Sequence, residues 1–423
     1  MQKKCRFKVN GILAALAMVL MVAAGADAGS SKVLYKFPGG NNAGHPYAGL
    51  ILDRAGNLYG TTFEGGGSTC GYGDDPCGSV FMLTRNSNGS WTERVLHRFA
   101  GGSDGWSPYA GLTLDGAGNL YGTTVAGGGC RSFQAGCGTV FKLKPNSDGS
   151  WTESVLYSFC QLANCADGLE PYGGLIFDGA GNLYGTTATG GSSGGGLVFK
   201  LTPKSGGGWT ETVLQTLGGN HGGGPYAALI FDAVGNLYGT TSAGGVRSGD
   251  VGTVFELVPN SDGSWTEHIL HLFTGGKDGA APYAGLIFDA AGNLYGTTSE
   301  GGGDGNSGTV FELTPRSDGN WAESVLSRFS PGANPYAGVA FDAAGDLYGT
   351  TVHGGSTNEG AVFKLAPRSG GGWVYSVLKS FAGAPAMNPY GGLVLDQAGN
   401  LYGTTANCAD GQKCRGVVFE VIP

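Results

Sequence analysis

Charge is scarce in this chain. Asp, Glu, Lys and Arg make up 13% of 423 residues, and acids outnumber bases 32 to 24. A surface so poor in cations gains little by displacing counterions from phosphates, so nucleic acid is not an expected partner, and neither is an anionic membrane surface. Histidine is rarer still, with six in all. No hydrophobic or basic stretch stands at the C-terminus, and membrane insertion is not expected. The one long apolar run, "ILAALAMVLMVAA", follows Lys3, Lys4, Arg6 and Lys8 and precedes "ADA" at 26–28. That order predicts a secretory signal peptide over residues 1–28, cleaved near Ala28. Cys5 lies before the apolar run, so it is not placed like a lipid-modified cysteine. Without that segment, 20 Lys and Arg face 31 Asp and Glu. The expected product is a soluble monomer, secreted, periplasmic or held at the cell surface.

Glycine is the residue in excess, with 84 copies against 17 prolines. Such a composition without a period would read as disorder. Here there is a period, and aromatics at 11% supply material for a core. "GNLYGTT" at 56–62 returns, nearly unchanged, around Tyr121, Tyr184, Tyr238, Tyr295, Tyr348 and Tyr402, at spacings of 53 to 63 residues. Spacings of this size mark propeller blades or a solenoid.

Each copy holds four β-rich runs: in the first, "PYAGLILD", "NLYGTT", "SVFML" and "WTERVLHRF". Short Asp/Asn/Gly/Ser turns such as "DRAGN" and "NSNGS" join runs one to two and three to four, as tight hairpins require. The other two connections are long, variable and rich in glycine. Seven repeats of four antiparallel strands predict an all-β fold, a single seven-bladed propeller over residues 29–423. The phase of the ends predicts how the ring closes. "SKVLYKF" at 31–37 is a lone fourth run, and the last repeat stops after its third, "GVVFEVIP". The first strand should therefore complete the last blade and leave no exposed edge.

Features present in every blade read as scaffold, because every blade has the same packing problem. The Asp opening each "DxxGN" turn (Asp53, Asp115, Asp178, Asp232, Asp289, Asp342, Asp396) is expected to cap that turn. The Trp opening each fourth run is expected to pack. The Pro-Tyr pairs that open run one should place seven tyrosines around the channel mouth, as scaffold that can also line a ligand entrance.

"DGAGNLYGTTVAGG", followed by "GTVFKL" and "VLYSF", resembles the tandem repeats of choice-of-anchor, GloVer-type (Gloeobacter/Verrucomicrobia repeat) exported bacterial proteins, over essentially the whole mature chain. The resemblance implies a secreted or surface protein and brings no catalytic residues with it. Members commonly carry a C-terminal sorting anchor, whereas residues 416–423 here are the third run of the last repeat.

Unrepeated residues of the long loops are the informative ones, since variable loops on a rigid scaffold carry function. Eight cysteines fall there in four local pairs, Cys70/Cys77, Cys130/Cys137, Cys160/Cys165 and Cys408/Cys414. In an exported protein these read as disulfides that stiffen glycine-rich loops. The rival is a Cys₄ zinc site of Cys70, Cys77, Cys130 and Cys137, against which the wide spacing and the export both argue. Tyr72, Trp106 and Phe133 accompany the cysteines, with the acids Asp74, Asp75 and Glu170 nearby. Aromatic faces beside carboxylates suit sugar rings. Covering their own loops is the plainer role for the same aromatics.

No asymmetric constellation of an enzyme is apparent. His97, His268 and His271 fall on outer strands at positions expected to be exposed, while His45, His221 and His353 lie in loops of separate blades. "SDG" at 103–105 and "KDG" at 277–279 lack the alternating acids of a calcium loop. No cofactor or metal is expected. The reading is a non-catalytic exported propeller that binds an extracellular glycan or protein through its long-loop face near blades 7, 1, 2 and 3. An extracellular lyase or hydrolase using Asp74, Asp75 and Glu170 is one alternative, and a structural or adhesive surface protein another.

Overall fold

The computed structural model describes residues 30–39, 43–65, 77–130, 136–245, 251–303, 305–382, 386–408 and 414–423. Within them the chain forms seven four-stranded antiparallel sheets. In the first, strand one is Ile51–Leu52, strand two Leu58–Thr62, strand three Ser79–Arg85 and strand four Trp91–Arg98. Six sheets are built from consecutive strands. The seventh takes Val394–Leu395, Leu401–Thr405 and Val417–Ile422 from the end of the chain and Ser30–Lys36 from its beginning. The ring closes as the phase of the repeats predicts. Among the described residues no helix is long and apolar enough to cross a membrane.

The letters of "DxxGNLYGTT" each have a task, and blade 1 shows them. Asp53 accepts the N–H groups of Ala55 and Asn57 on Oδ1, at 2.9 and 2.8 Å, and the Asn57 side-chain amide and Tyr59 hydroxyl on Oδ2. Burial works to raise this carboxyl, but those hydrogen bonds outweigh it and hold the group below the usual carboxylate range. Leu58 is fully buried. Gly60 leaves room for the strand-three ring, since a Cβ there would stand 2.6 Å from Phe81 Cζ. Thr61 donates its hydroxyl to the Ala110 carbonyl of the next blade at 3.0 Å, and Thr62 bonds the Ser79 hydroxyl of its own strand three.

The first threonine makes the same bond to the following blade in all seven copies. In the last, Thr404 reaches Ala48 of blade 1 at 2.7 Å and closes the circle. Each such buried bond contributes about 1 kcal/mol net, and more would be lost if the carbonyl were left unpaired.

The core sits between blades rather than within them. One cluster joins Tyr59, Val80 and Phe99 of blade 1 to Leu112, Leu120 and Phe141 of blade 2. Phe99, at the end of strand four, meets Phe141 edge-on at 5.1 Å. Phe37 does the same to Phe81 across the closure, at 5.0 Å. The strand-four tryptophans reach backward, Trp151 to Tyr59 and Trp91 to Tyr402, at 6.4 and 6.3 Å. At the axis the blades touch backbone to backbone, which is why small residues follow each Pro-Tyr. A Cβ on Gly49 would stand 2.9 Å from the Gly392 carbonyl.

Candidate functional site

One residue per blade sets up the channel mouth. The residue before each inner-strand proline has left-handed backbone in every copy, with φ of 53° at His45, 56° at Ser107, 59° at Glu170, 62° at Gly224, 50° at Ala281 and Asn334, and 58° at Asn388. That conformation is unfavourable for most L-residues. Two backbone hydrogen bonds hold it. The His45 N–H donates to the Arg415 carbonyl of the preceding blade, and the His45 carbonyl accepts from Phe63 of its own blade. The pattern repeats at Ser107 with Cys77 and Val125, and at Glu170 with Cys137 and Ala188. Each blade is thereby tied to the 2–3 loop of its neighbour, and the tyrosine two residues on is delivered to the axis.

Tyr47, Tyr109, Tyr172, Tyr226, Tyr283, Tyr336 and Tyr390 form an unbroken ring, each centroid 5.1 to 5.5 Å from the next. All seven are half-buried. They wall a cavity of about 350 Å³ lined further by the Gly and Ala residues that follow them and by Leu112, Thr113 and Leu175. Among the described residues, no Asp, Glu, His, Lys, Arg or Cys lines it.

Burial raises all seven phenols above the ordinary tyrosine value. Glu64 adds to this at Tyr47, Glu170 at Tyr172 and Tyr226, and Glu300 at Tyr283 and Tyr336. The phenols are therefore neutral hydroxyl groups at physiological pH, surrounded by a rim of three carboxylates. Glu64 is paired at the ring seam, where Arg415 donates to it at 2.9 Å and His45 lies 3.4 Å away. Arg415 belongs to blade 7, so this cluster spans the closure.

The residues singled out in the sequence end up in different places. Glu170 reaches the rim, accepts a hydrogen bond from the Thr189 hydroxyl at 3.1 Å, and acts on two tyrosines of the mouth. Trp106 sits one residue before a left-handed position, pairs with Ala126, and packs partly against the cluster of Cys77, Val80 and Phe99. It shares that register with Leu169 and Ala280. Tyr72, Asp74, Asp75, Phe133 and Cys70 lie outside the described residues. Cys130–Cys137, Cys160–Cys165 and Cys408–Cys414 are disulfides, as expected, and Cys77 is also disulfide-bonded. The sulfurs of Cys130, Cys137 and Cys160 lie within 4.8 Å of one another, so two bridges abut. Sulfurs held in disulfides are not thiolate ligands, which removes the basis for the rival zinc set.

Two expectations need correction. His97 and His271 are not exposed: their side chains are 20% and 19% accessible, facing Asp104 and Asp278 at 3.1 and 3.8 Å. Those aspartates close the "SDG" and "KDG" loops by accepting the N–H groups of Ala100 and Thr274. Sequence reasoning also passed over Glu64 and Glu300. They occupy a position two residues past each "GTT" that holds Ala, Thr, His or Asn in the other blades, and that variability was the available signal.

A family model described as the Gloeobacter/Verrucomicrobia repeat matches residues 21–207 and 129–330, more than half of the chain. The chain belongs to that family. No curated protein matches it. Solved structures to which the chain is similar include a candidate 6-phosphogluconolactonase from Bacteroides uniformis, 13% identical over 78% of this chain and 83% of that one, with a TM-score of 0.48. The luciferin-regenerating enzyme is 12% identical over 93% and 95%, with a TM-score of 0.45. A gluconolactonase of Xanthomonas campestris is 17% identical over 67% and 81%, with a TM-score of 0.37. At these identities and scores nothing about chemistry passes from those enzymes to this repeat protein.

Proposed function

We propose that this repeat protein is an exported, non-catalytic propeller that binds an extracellular ligand, glycan or protein, on its long-loop face, with the tyrosine-walled mouth as the point of contact. The observation that carries this reading is the closed ring of seven half-buried phenols around a cavity of about 350 Å³. Such groups offer aromatic surface and hydroxyls that both donate and accept, at little cost in side-chain entropy. They recur in every blade, so the mouth presents the same surface from seven directions. The chemistry of the wall favours binding over turnover, because a general acid or base needs a titrating group near its working pH and raised phenols are not one.

The test is a glycan array together with affinity capture of extracellular protein, using residues 29–423 and a Tyr226→Leu/Tyr283→Leu variant. Interface aromatics of this kind typically contribute 1–2 kcal/mol or more each, so the double change should weaken a captured ligand by about tenfold or more. A ligand held equally well by both forms would move the site off the mouth.

A further inference from the structure

The fourth strands of blades 1 to 5 carry a glutamate two residues after the tryptophan, and each is half-buried against the preceding blade. At three junctions an aspartate from the incoming connection faces it. Burial, and then Asp104, Asp167 or Asp278, push Glu153, Glu211 and Glu323 up to about 7. The junction of blades 5 and 6 departs from this on both sides. Tyr375 stands where the glutamate would be, and the connection from Phe329 to Pro335 has five residues, with no aspartate, against eight between Phe99 and Pro108.

The physical consequence is an uncovered core. Phe99, Phe159 and Phe273 at the end of strand four are fully buried, while Phe329 at the same position is half-buried. Tyr375 stacks on Phe363 at 6.0 Å and 28°, meets Phe329 edge-on at 5.9 Å, and is 43% exposed. A cavity of about 380 Å³ opens between the short connection and the 2–3 loop of blade 6. Its floor is aromatic, and its rim carries Ser330, Ser356 and Asn358. No charged side chain lines it among the described residues.

We propose that this junction is a second binding site, separate from the mouth, and that it takes a neutral sugar ring. An aromatic platform beside hydroxyls and an amide matches the two faces of a pyranose, apolar C–H on one side and hydroxyls at the edge. Asn358 Oδ1 accepts the Gly354 N–H at 2.9 Å, which orients the side chain and leaves its NH₂ group as a donor. The hydroxyls of Ser330 and Ser356 complete the rim. A lining without charge has nothing to pair with an acidic or cationic sugar, and desolvating such a ligand there would be costly.

The test is saturation-transfer NMR and calorimetry of residues 29–423 with cellotetraose, laminaritetraose, mannotetraose and chitotetraose, and with trigalacturonate as the charged probe. At least one neutral probe should show saturated ring C–H signals, with an affinity unmoved by 0.5 M NaCl. Tyr375→Ala should weaken that probe at least tenfold and Asn358→Ala severalfold. Val234→Thr, on an exposed turn of the other face, should leave it unchanged. Melting curves confirm that each variant is folded, and the exposed Asn358 keeps the test alive if Tyr375→Ala fails to fold. The proposal is overturned if no neutral probe binds, if trigalacturonate binds better, or if binding survives Tyr375→Ala and disappears in the Tyr226→Leu/Tyr283→Leu mouth variant. That last outcome would leave the mouth reading standing, so the two proposals fail separately.

Discussion

Blades 7, 1, 2 and 3 and the junction of blades 5 and 6 depart from one repeat in opposite directions. The first sector adds to it. Its long loops and connections are braced by Cys130–Cys137, Cys160–Cys165 and Cys408–Cys414, and the additions keep the core covered: Phe159 and Cys137 are fully buried. The second subtracts from it. A shorter connection and the loss of one carboxylate pair leave Phe329 and Tyr375 partly open. Addition builds a stiff rim over a closed core, and subtraction turns core into surface. In a ring whose scaffold tasks are assigned to repeated letters, either route can make one blade unlike the others.

Both sectors should rest on the same scaffold, and packing at the strand-two glycines tests that. A Cβ at Gly122 would stand 2.6 Å from Phe141 Cζ, and one at Gly349 would stand 2.5 Å from Phe363 Cζ. Gly122→Val and Gly349→Val should each cost about 3 kcal/mol in urea unfolding, by overpacking a site with no slack. Losses that differ by more than about 1 kcal/mol would mean that the sectors are not equivalent underneath. Next in size is reduction. The bridges close loops with sequence separations of 7, 5 and 6 residues, and each should contribute about 2 kcal/mol on loop entropy. Hydrogen exchange under reductant should rise across 160–170 and stay flat across 330–336. A rise in both would show that the bracing is not local.

The propeller, its closing strand and the turn aspartates were legible in the sequence because seven copies make the pattern visible and each letter solves a local problem. The mouth was legible for the same reason, since Pro-Tyr recurs in every blade. The rim was not. Where Glu64, Glu170 and Glu300 sit beside the tyrosines depends on a left-handed residue before proline and on its hydrogen bond to the neighbouring 2–3 loop, and only the variability of their position marks Glu64 and Glu300 in the sequence. Trp106 shows the converse. It is the one tryptophan of seven that does not open a fourth run, yet it shares its register with Leu169 and Ala280. Tyr375 was open to discovery: "WTE" in four blades and "WAE" in one become "WVY" in blade 6. Residues gained in loops stand out from the repeat, whereas a residue exchanged within a strand reads as ordinary variation.

A smaller effect separates the sectors by pH. Glu153, Glu211 and Glu323 are raised to about 7, chiefly by burial. A raised carboxyl favours the protonated native state, so its contribution is complete below the ordinary value of 4.5 and is lost as pH climbs through about 7. Six turn aspartates, Asp53, Asp115, Asp178, Asp289, Asp342 and Asp396, oppose this only in acid, because their lowered values remove stability as pH falls below 3.8. The melting temperature should therefore decline between pH 5 and pH 8, and Glu153→Gln/Glu211→Gln/Glu323→Gln should flatten the decline. An unchanged slope would mean that these carboxyls are as solvated as free ones.

The smallest effect comes from restoring the repeat at the odd junction. Tyr375→Glu gives blade 6 the residue that blades 1 to 5 carry, but not the longer connection that buries it or the aspartate that faces it. The position is already 43% exposed, so the new carboxylate should stay hydrated and add nothing to the pH slope. The loss of one ring stacked on Phe363 should cost about 1 kcal/mol. A melting temperature within a few degrees of the parent at both pH 5 and pH 8 is the expected result. A new pH dependence would show that the short connection folds over the site and buries it, and the junction would then be a closed seam rather than an open pocket.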